Sequence, residues 1–142
     1  MNGSEWVVEA YGCDPVRLGD VHALKRLFDA LVQELALNPV GEALWHRFPM
    51  PGGVTGMLML AESHLTVHTF PEHASLCMNL FCCTPKGDWS FSKRLGELVG
   101  AREVCVRRLE RAYGFVDGRL ETGDGRRPDL QRLPSPFSSL PS

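Results

Sequence analysis

The sequence predicts an α+β fold, a two-layer sandwich of a mainly antiparallel sheet with two helices packed on one face. Two segments carry apolar residues at helical spacing, and several short segments rich in β-branched and aromatic residues alternate with turn residues. No long helical crossover separates these short segments, as parallel strands would require. The length of 142 residues and the 44% hydrophobic content fit one domain with one core.

The first strand and the first helix are predicted from residue type and period. Residues 6–13 are rich in β-branched and aromatic residues and run into the turn dipeptide Asp-Pro at 14–15. From Asp20, a good N-cap residue, apolar residues recur at helical spacing as far as Leu35. The Asn-Pro dipeptide at 38–39 predicts the end of this amphipathic helix.

The remaining elements are hairpin strands, a second helix and a last strand. The strands are predicted as hairpins because only Pro, Gly and short polar stretches separate them. Gly100 is placed to end the second helix. The predicted segments are strands at about 42–48, 54–61, 64–70 and 75–83, a helix at about 90–99 and a strand at 103–109.

The composition changes near the C-terminus and divides the chain. Residues 1–113 form the predicted domain. Residues 114–142 are rich in Gly, Pro, Ser and Arg and have too little apolar content to pack, which predicts a disordered C-terminal tail.

Charge and cysteine content exclude several classes of function. Lys and Arg total 15 and Asp and Glu total 17, so the formal charge of -2 gives no basic field that would attract nucleic acid or an anionic membrane. No apolar run approaches the roughly 20 residues that cross a bilayer, and the N-terminus lacks the features of a signal peptide. We therefore expect a cytoplasmic protein. The five cysteines are odd in number and lie mostly in apolar segments, which indicates free thiols. They form no CxxC pair, which argues against a zinc site.

Residues 60–72 concentrate polar chemistry beside apolar residues: a serine, two histidines and two carboxylates. On residue chemistry alone, His64 and His68 are typical of a half-buried strand, because a His-x-x-x-His pair binds metal mainly on a helix. A second interpretation also stays open. A serine directly after a glutamate, here Ser63 after Glu62, could attack the carbonyl of its own upstream peptide bond, with a nearby imidazole moving protons.

Strand geometry constrains this second interpretation. Ser63 and His68 differ in parity, so a regular strand would send them to opposite faces of the sheet. We therefore expect the chain to bend at residues 61–63. Backbone strain at that bend would favour acyl transfer.

A family resemblance supports the second interpretation. Residues 62–72, Glu-Ser-His-Leu-Thr-Val-His-Thr-Phe-Pro-Glu, resemble the processing site of the bacterial and archaeal S-adenosylmethionine decarboxylase family, pyruvoyl-dependent enzymes of polyamine synthesis. Further similarities occur in the same order and spacing at residues 8–14, 53–56 and 79–83. The resemblance covers roughly residues 4–113.

The resemblance implies that the chain cuts itself. Ser63 would attack the carbonyl of Glu62, and the chain would separate into a β chain, 1–62, and an α chain, 63–142, headed by a pyruvoyl group made from Ser63. This cofactor would condense with the substrate's amine as a Schiff base and act as an electron sink.

The resemblance also implies roles for three further residues. His68 matches the histidine that removes the α-proton during processing, and Thr55 stands where the family usually has a serine that supports the processing intermediate. Cys83 matches the cysteine that donates a proton in decarboxylation. A shielded thiol suits that role because it stays protonated near neutral pH.

The implied substrate is a small molecule, S-adenosylmethionine, decarboxylated for spermidine synthesis. Phe48 and Phe70 would sandwich its adenine, and Glu72 would bind the ribose hydroxyls. Related enzymes that decarboxylate arginine or ornithine use the same pyruvoyl chemistry with another pocket, so this alternative stays open, as does a non-catalytic dimeric relative. The family further implies a homodimer of processed αβ units with sheets packed across the interface.

Overall fold

One antiparallel sheet and a layer of helices make up the fold in the computed structural model, which describes residues 2–116 and 119–120. All neighbouring strands in the sheet pair antiparallel. In chain order the strands are β1 (Asn2–Tyr11), β2 (Leu44–Arg47), β3 (Val54–Leu60), β4 (Ser63–Phe70), β5 (Ser75–Cys82) and β6 (Glu103–Ala112). Their order across the sheet is β2-β3-β4-β5-β1-β6.

The described residues include three α-helices: α1 (Pro15–Leu18), α2 (Val21–Glu34) and α3 (Phe91–Val99). Asp20 caps α2, its side chain accepting a hydrogen bond from the backbone N–H of His22. Gly100 ends α3 with φ 72°, in the left-handed region that glycine adopts without strain. The predicted α+β sandwich with helices on one face is therefore confirmed.

Several boundaries differ from the prediction. Helix α2 ends at Glu34, before the Asn-Pro dipeptide at 38–39, because Ala36 takes φ 49° and turns the chain. The four-residue helix α1 was not predicted, since one turn is too short to show a period. Strand β1 begins at Asn2 because Asn2 and Gly3 already pair with β6, and from Ser4 onward the strand pairs with β5 as well.

The chain after β6 contains a short two-stranded ribbon, β7 (Phe115–Val116) with β8 (Arg119–Leu120). The rest of the predicted tail lies outside the described residues, so its disorder stays a prediction. Within the described part of the chain, no helix is long and apolar enough to cross a membrane.

The two faces of the sheet have different surroundings. Alternation along the strands places one set of side chains under the helices: in β4, Leu65 and Val67 are fully buried, whereas His64 and His68 are exposed. The buried set forms the core with apolar residues of α2 and α3. We call the opposite side the open face; it carries Thr55, Met57, Met59, His64, Thr66, His68, Phe70, Asn79, Phe81, Glu5, Val7 and Glu9.

Candidate active site

The bond between Glu62 and Ser63 lies in a tight turn. Ala61 and Glu62 form the two-residue connection between β3 and β4, and Leu60 pairs with Ser63 across it. Ser63 has φ 151°, in a region that residues other than glycine rarely adopt. The predicted bend at residues 61–63 is therefore confirmed, and its backbone is strained at the residue that carries the hydroxyl.

The carbonyl of Glu62 is held by a hydrogen-bond donor. The backbone N–H of Cys83 donates to this oxygen at 2.7 Å, and Ser63 lies opposite Cys82 in the pairing of β4 with β5. If a nucleophile attacks the carbonyl carbon, negative charge develops on the oxygen that this N–H already faces. The turn therefore combines a hydroxyl, a target carbonyl and one oxyanion donor.

The side chain of Glu62 is held as well. The residue is only 4% exposed, and its Oε1 accepts hydrogen bonds from the backbone N–H and the Nδ2 of Asn38, at 3.1 and 2.8 Å. The Nζ of Lys86 lies 3.9 Å from Oε2. Sequence reasoning missed both partners. The sequence indicates only that Asn38 belongs to a helix stop, and nothing in the sequence pairs Lys86 with residue 62.

The two adjacent cysteines have different environments. Cys82 is fully buried on the helix side of the sheet. Its burial, and then the negative charge of Glu62, raise the pKa of the Cys82 thiol to about 11. Cys83 is half-buried, and its carbonyl oxygen accepts a hydrogen bond from the hydroxyl of Tyr113 at 2.9 Å. The backbone of Cys83 is thus fixed on both sides, and the residue is more exposed than Cys82.

A glycine permits the close strand pairing beside these cysteines. A Cβ on Gly3 would lie 2.7 Å from the carbonyl oxygen of Cys82. Such a contact is too short for any side chain, so only glycine fits here without displacing β5.

Thr55 and His68 form a pair at the other end of the β3–β4 hairpin. They are cross-strand neighbours on the open face, and the Oγ1 of Thr55 lies 3.0 Å from the Nδ1 of His68. The hydroxyl therefore orients the imidazole, whose other nitrogen stays available to move a proton.

The predicted substrate-binding residues lie near this pair. Phe70 follows His68 on the same face of β4 and is 39% exposed, and Glu72 lies in the exposed 3₁₀ turn that follows. Phe48 is 51% exposed and meets His46 edge to face, with ring centroids 4.5 Å apart.

His46 was missed from the sequence. It lies opposite Thr55 in the pairing of β2 with β3. Such a neighbour follows from strand register, which alternation along one strand does not reveal.

The catalytic residues predicted from the sequence fall into two separate groups. The turn group is Glu62, Ser63 and Cys83, and the hairpin-end group is Thr55 and His68. Ser63 and His68 are five residues apart along β4, which at about 3.3 Å per residue separates them by about 16 Å. The bend at residues 61–63 does not shorten this distance, because it precedes Ser63. One chain therefore does not bring Ser63 and His68 together.

A polar network crosses the open face between these groups. The Nδ2 of Asn79 donates to Glu5 at 2.7 Å, and the Oδ1 of Asn79 lies 2.9 Å from the Nε2 of His64. Burial alone would raise the pKa of Glu5, but hydrogen bonds from Asn79 and Arg111 and the charge of Arg111 outweigh it and lower that pKa. His64 thus belongs to a structural network, in agreement with the interpretation of a half-buried strand.

Known proteins are similar to this chain in sequence and in fold. The family described as S-adenosylmethionine decarboxylase matches residues 4–112. An S-adenosylmethionine decarboxylase proenzyme of Clostridium tetani is 32% identical over 111 residues, covering 77% of this chain and 86% of the relative. That of Geobacillus kaustophilus is 33% identical over 101 residues, covering 70% and 79%.

A solved structure agrees with these matches. The crystal structure of the adenosylmethionine decarboxylase from Aquifex aeolicus superposes with a TM-score of 0.64 at 25% sequence identity, covering 84% of this chain and 97% of that one. Sequence and fold lead to the same conclusion: the chain belongs to the S-adenosylmethionine decarboxylase family.

Proposed function

We propose that this protein is a self-processing, pyruvoyl-dependent decarboxylase that acts on S-adenosylmethionine. The observation that carries the proposal is the turn at residues 61–63, where a strained Ser63 follows a carbonyl that accepts a hydrogen bond from Cys83. Relatives of similar sequence are named S-adenosylmethionine decarboxylase proenzymes, a name that fits a precursor cut at such a turn.

Self-cleavage would use groups of the chain itself. The hydroxyl oxygen of Ser63 attacks the carbonyl carbon of Glu62, the peptide C–N bond breaks, and an ester forms while the nitrogen of residue 63 takes a proton. His68 then removes the α-proton of residue 63, and the ester C–O bond breaks with Glu62 leaving as a carboxylate. Water adds to the remaining double-bonded residue and ammonia departs, which leaves the pyruvoyl group.

The processed chain would have two parts. A β chain of residues 1–62 would end at Glu62, and an α chain of residues 63–142 would begin with the pyruvoyl group. We place the folded domain at residues 1–113, in line with the family match over residues 4–112.

The surroundings of residue 63 fit a pyruvoyl group. A pyruvoyl group has no charge and is about the size of the serine from which it forms. It therefore suits residue 63, which is half-buried between β3 and β5. When formed, it supplies a ketone for the substrate's amine and an adjacent amide carbonyl that takes up the electron pair left by carbon dioxide. The Cys83 thiol then donates a proton to the substrate's α-carbon. Cys82 is less suited to this role, because its thiol is fully buried in the core.

The exposed residues near His68 suit the rest of S-adenosylmethionine. Phe48 and Phe70 offer aromatic surface for the adenine, and the carboxylate of Glu72 can accept hydrogen bonds from the two ribose hydroxyls. These residues lie at the hairpin end, close to Thr55 and His68.

We further propose that the active unit is a homodimer with its open faces packed together. A two-fold axis perpendicular to the strands would place the Thr55–His68 pair of one copy beside the Ser63 turn of the other. Two observations support this arrangement: the separation of about 16 Å within one chain, and the exposure of Met57 and Met59 on the open face, at 51% and 65%. Light scattering should give a mass near twice the 15.8 kDa of one chain.

We also place the enzyme in the cytoplasm. All five cysteines are free, which suits a reducing compartment.

Mass spectrometry of freshly made protein tests the proposed cleavage. We expect two fragments, with the N-terminus of the 63–142 fragment blocked, and borohydride reduction in the presence of S-adenosylmethionine should label position 63. Carbon dioxide release should be measured in parallel with S-adenosylmethionine, arginine and ornithine. An intact chain of 15.8 kDa would contradict the enzyme and favour a non-catalytic relative. If carbon dioxide were released from arginine or ornithine alone, pyruvoyl-dependent decarboxylation would stand, but S-adenosylmethionine would be rejected as the substrate.

A further inference from the structure

We propose that Asn38 and Lys86 are positioning residues for self-cleavage, which hold the Glu62 side chain so that its carbonyl stays aligned for attack. The inference rests on the proposed self-processing function and assigns a role to two residues outside the processing motif. Neither residue touches the bond that breaks; both act through Glu62.

The segment that follows α2 runs along the end of the β3–β4 hairpin. The backbone N–H of Val40 donates to the carbonyl of Met59 at 2.9 Å, and the N–H of Ala61 donates to the carbonyl of Asn38 at 2.8 Å. Asn38 therefore holds the turn twice. Its carbonyl accepts from the residue before Glu62, while its own N–H and Nδ2 donate to the Glu62 carboxylate.

Lys86 connects a third segment to the same carboxylate. Its Nζ donates to the carbonyl of Ala36 at 2.8 Å and lies 3.9 Å from the Oε2 of Glu62. The side chains of Lys86 and Glu62 are only 16% and 5% exposed, so solvent screens this pair weakly. A buried carboxylate is tolerated only with hydrogen bonds and a counter-charge, and Asn38 and Lys86 supply them.

The contacts that hold the carboxylate also restrict the backbone at the scissile bond. The carboxylate and the carbonyl of Glu62 share one Cα, and the carbonyl accepts from the N–H of Cys83 at 2.7 Å. If the side chain lost its partners, it would turn towards water, and the backbone would rotate the carbonyl away from that donor. Ser63 could then relax from φ 151°. Both features that prepare the bond for attack would weaken together.

Substitution of Asn38 by Asp gives the sharpest test, since the shape is kept while the Nδ2 donor becomes a second carboxylate oxygen beside Glu62. We expect Asn38→Asp to slow cleavage roughly tenfold to a hundredfold near neutral pH. The ratio of its rate to that of the wild type should recover as the pH falls, because two adjacent carboxylates can share one proton. Taking the ratio cancels the pH dependence that both proteins share.

The groups that face Glu62 set the background for this pH profile. They are the ammonium of Lys86 and the thiol of Cys82. The Cys82 pKa of about 11 keeps that thiol neutral through the acidic and neutral range. The expected recovery therefore reports the paired carboxylates.

Further variants distinguish a positioning role of Asn38 and Lys86 from a general loss of folded protein. Asn38→Ala removes the donor without adding charge, so its cleavage should slow by a factor that does not change with pH. Lys86→Met should also slow cleavage, roughly tenfold, whereas Lys25→Met, on the exposed surface of α2, should match the wild type.

Time courses of cleavage for precursor made in a cell-free system should be read beside thermal unfolding of each variant. Wild-type rates for Asn38→Asp and Lys86→Met would overturn the inference. So would slowing that only follows the loss of folded protein and shows no recovery at low pH. A wild-type chain that never cleaves would instead reject the proposed function and this inference with it.

Discussion

The two ends of strand β4 differ in how their reactive groups are held. At the Ser63 end, hydrogen bonds from Asn38 and Cys83 fix both the side chain and the carbonyl of Glu62 within one chain. At the other end, exposed His68 has a hydrogen bond to Thr55 and faces outward on the open face. One chain therefore fixes the Glu62–Ser63 bond within its own fold, whereas it leaves His68, the proposed base, on an exposed surface.

A mixing experiment tests most directly whether Ser63 of one chain acts with His68 of another. Ser63→Ala lacks the hydroxyl and His68→Ala lacks the base, so each variant alone should stay uncut. If the ends meet across a dimer, co-synthesis of the two should restore cleavage of the His68→Ala chain only, in up to about half of its copies. A mass tag on one variant identifies which chain is cut.

The control for mixing is Ser63→Ala combined with itself, which has no hydroxyl in either copy and should stay intact. Folded mixtures that never cleave would contradict the dimeric site, and a His68→Ala chain that cuts itself at the wild-type rate would show that His68 is not the base.

Much of the fold could be predicted because it depends on local pattern. Helical spacing and caps located α2 and α3. The bend expected at residues 61–63 is present, but it precedes Ser63 and leaves Ser63 and His68 with opposite parity in β4. Helix α1 could not be predicted, because a helix of one turn has too few residues to show a helical period.

The site could be predicted only in part, because its remaining contacts depend on register and on distant segments. Alternation says which residues of one strand share a face, but the pairing of His46 with Thr55 requires knowing which strands are neighbours. The contacts of Asn38 and Lys86 with Glu62 join positions 24 residues apart in both directions. Hydrophobic pattern carries no information about such polar contacts.

Substitution of the adjacent cysteines tests whether Cys82 and Cys83 have different roles at the Ser63 end. We expect Cys83→Ala to cleave, because its backbone N–H remains, but to lose decarboxylation by about 10² to 10⁴-fold without the proton donor. Cys82→Ala serves as the matched control. It should lower the melting temperature, because it empties a buried site, while activity per pyruvoyl group stays near the wild type. Equal losses of activity in both variants would remove the distinction between Cys82 and Cys83.

The smallest effect is expected at the hairpin end, where one hydroxyl orients the imidazole. Thr55→Val keeps the shape but loses the hydrogen bond to His68, so self-cleavage should slow about tenfold. Thr55→Ser keeps the hydroxyl and should restore most of the rate. Thr66→Val is the matched control, since Thr66 lies on the same face of β4 beside Met57. Rates measured by time-resolved mass spectrometry should fall for Thr55→Val alone. Of these two threonine hydroxyls, only that of Thr55 lies within hydrogen-bond distance of the His68 Nδ1. Equal slowing by Thr66→Val would therefore show that the loss comes from altered packing of the open face and not from this hydrogen bond.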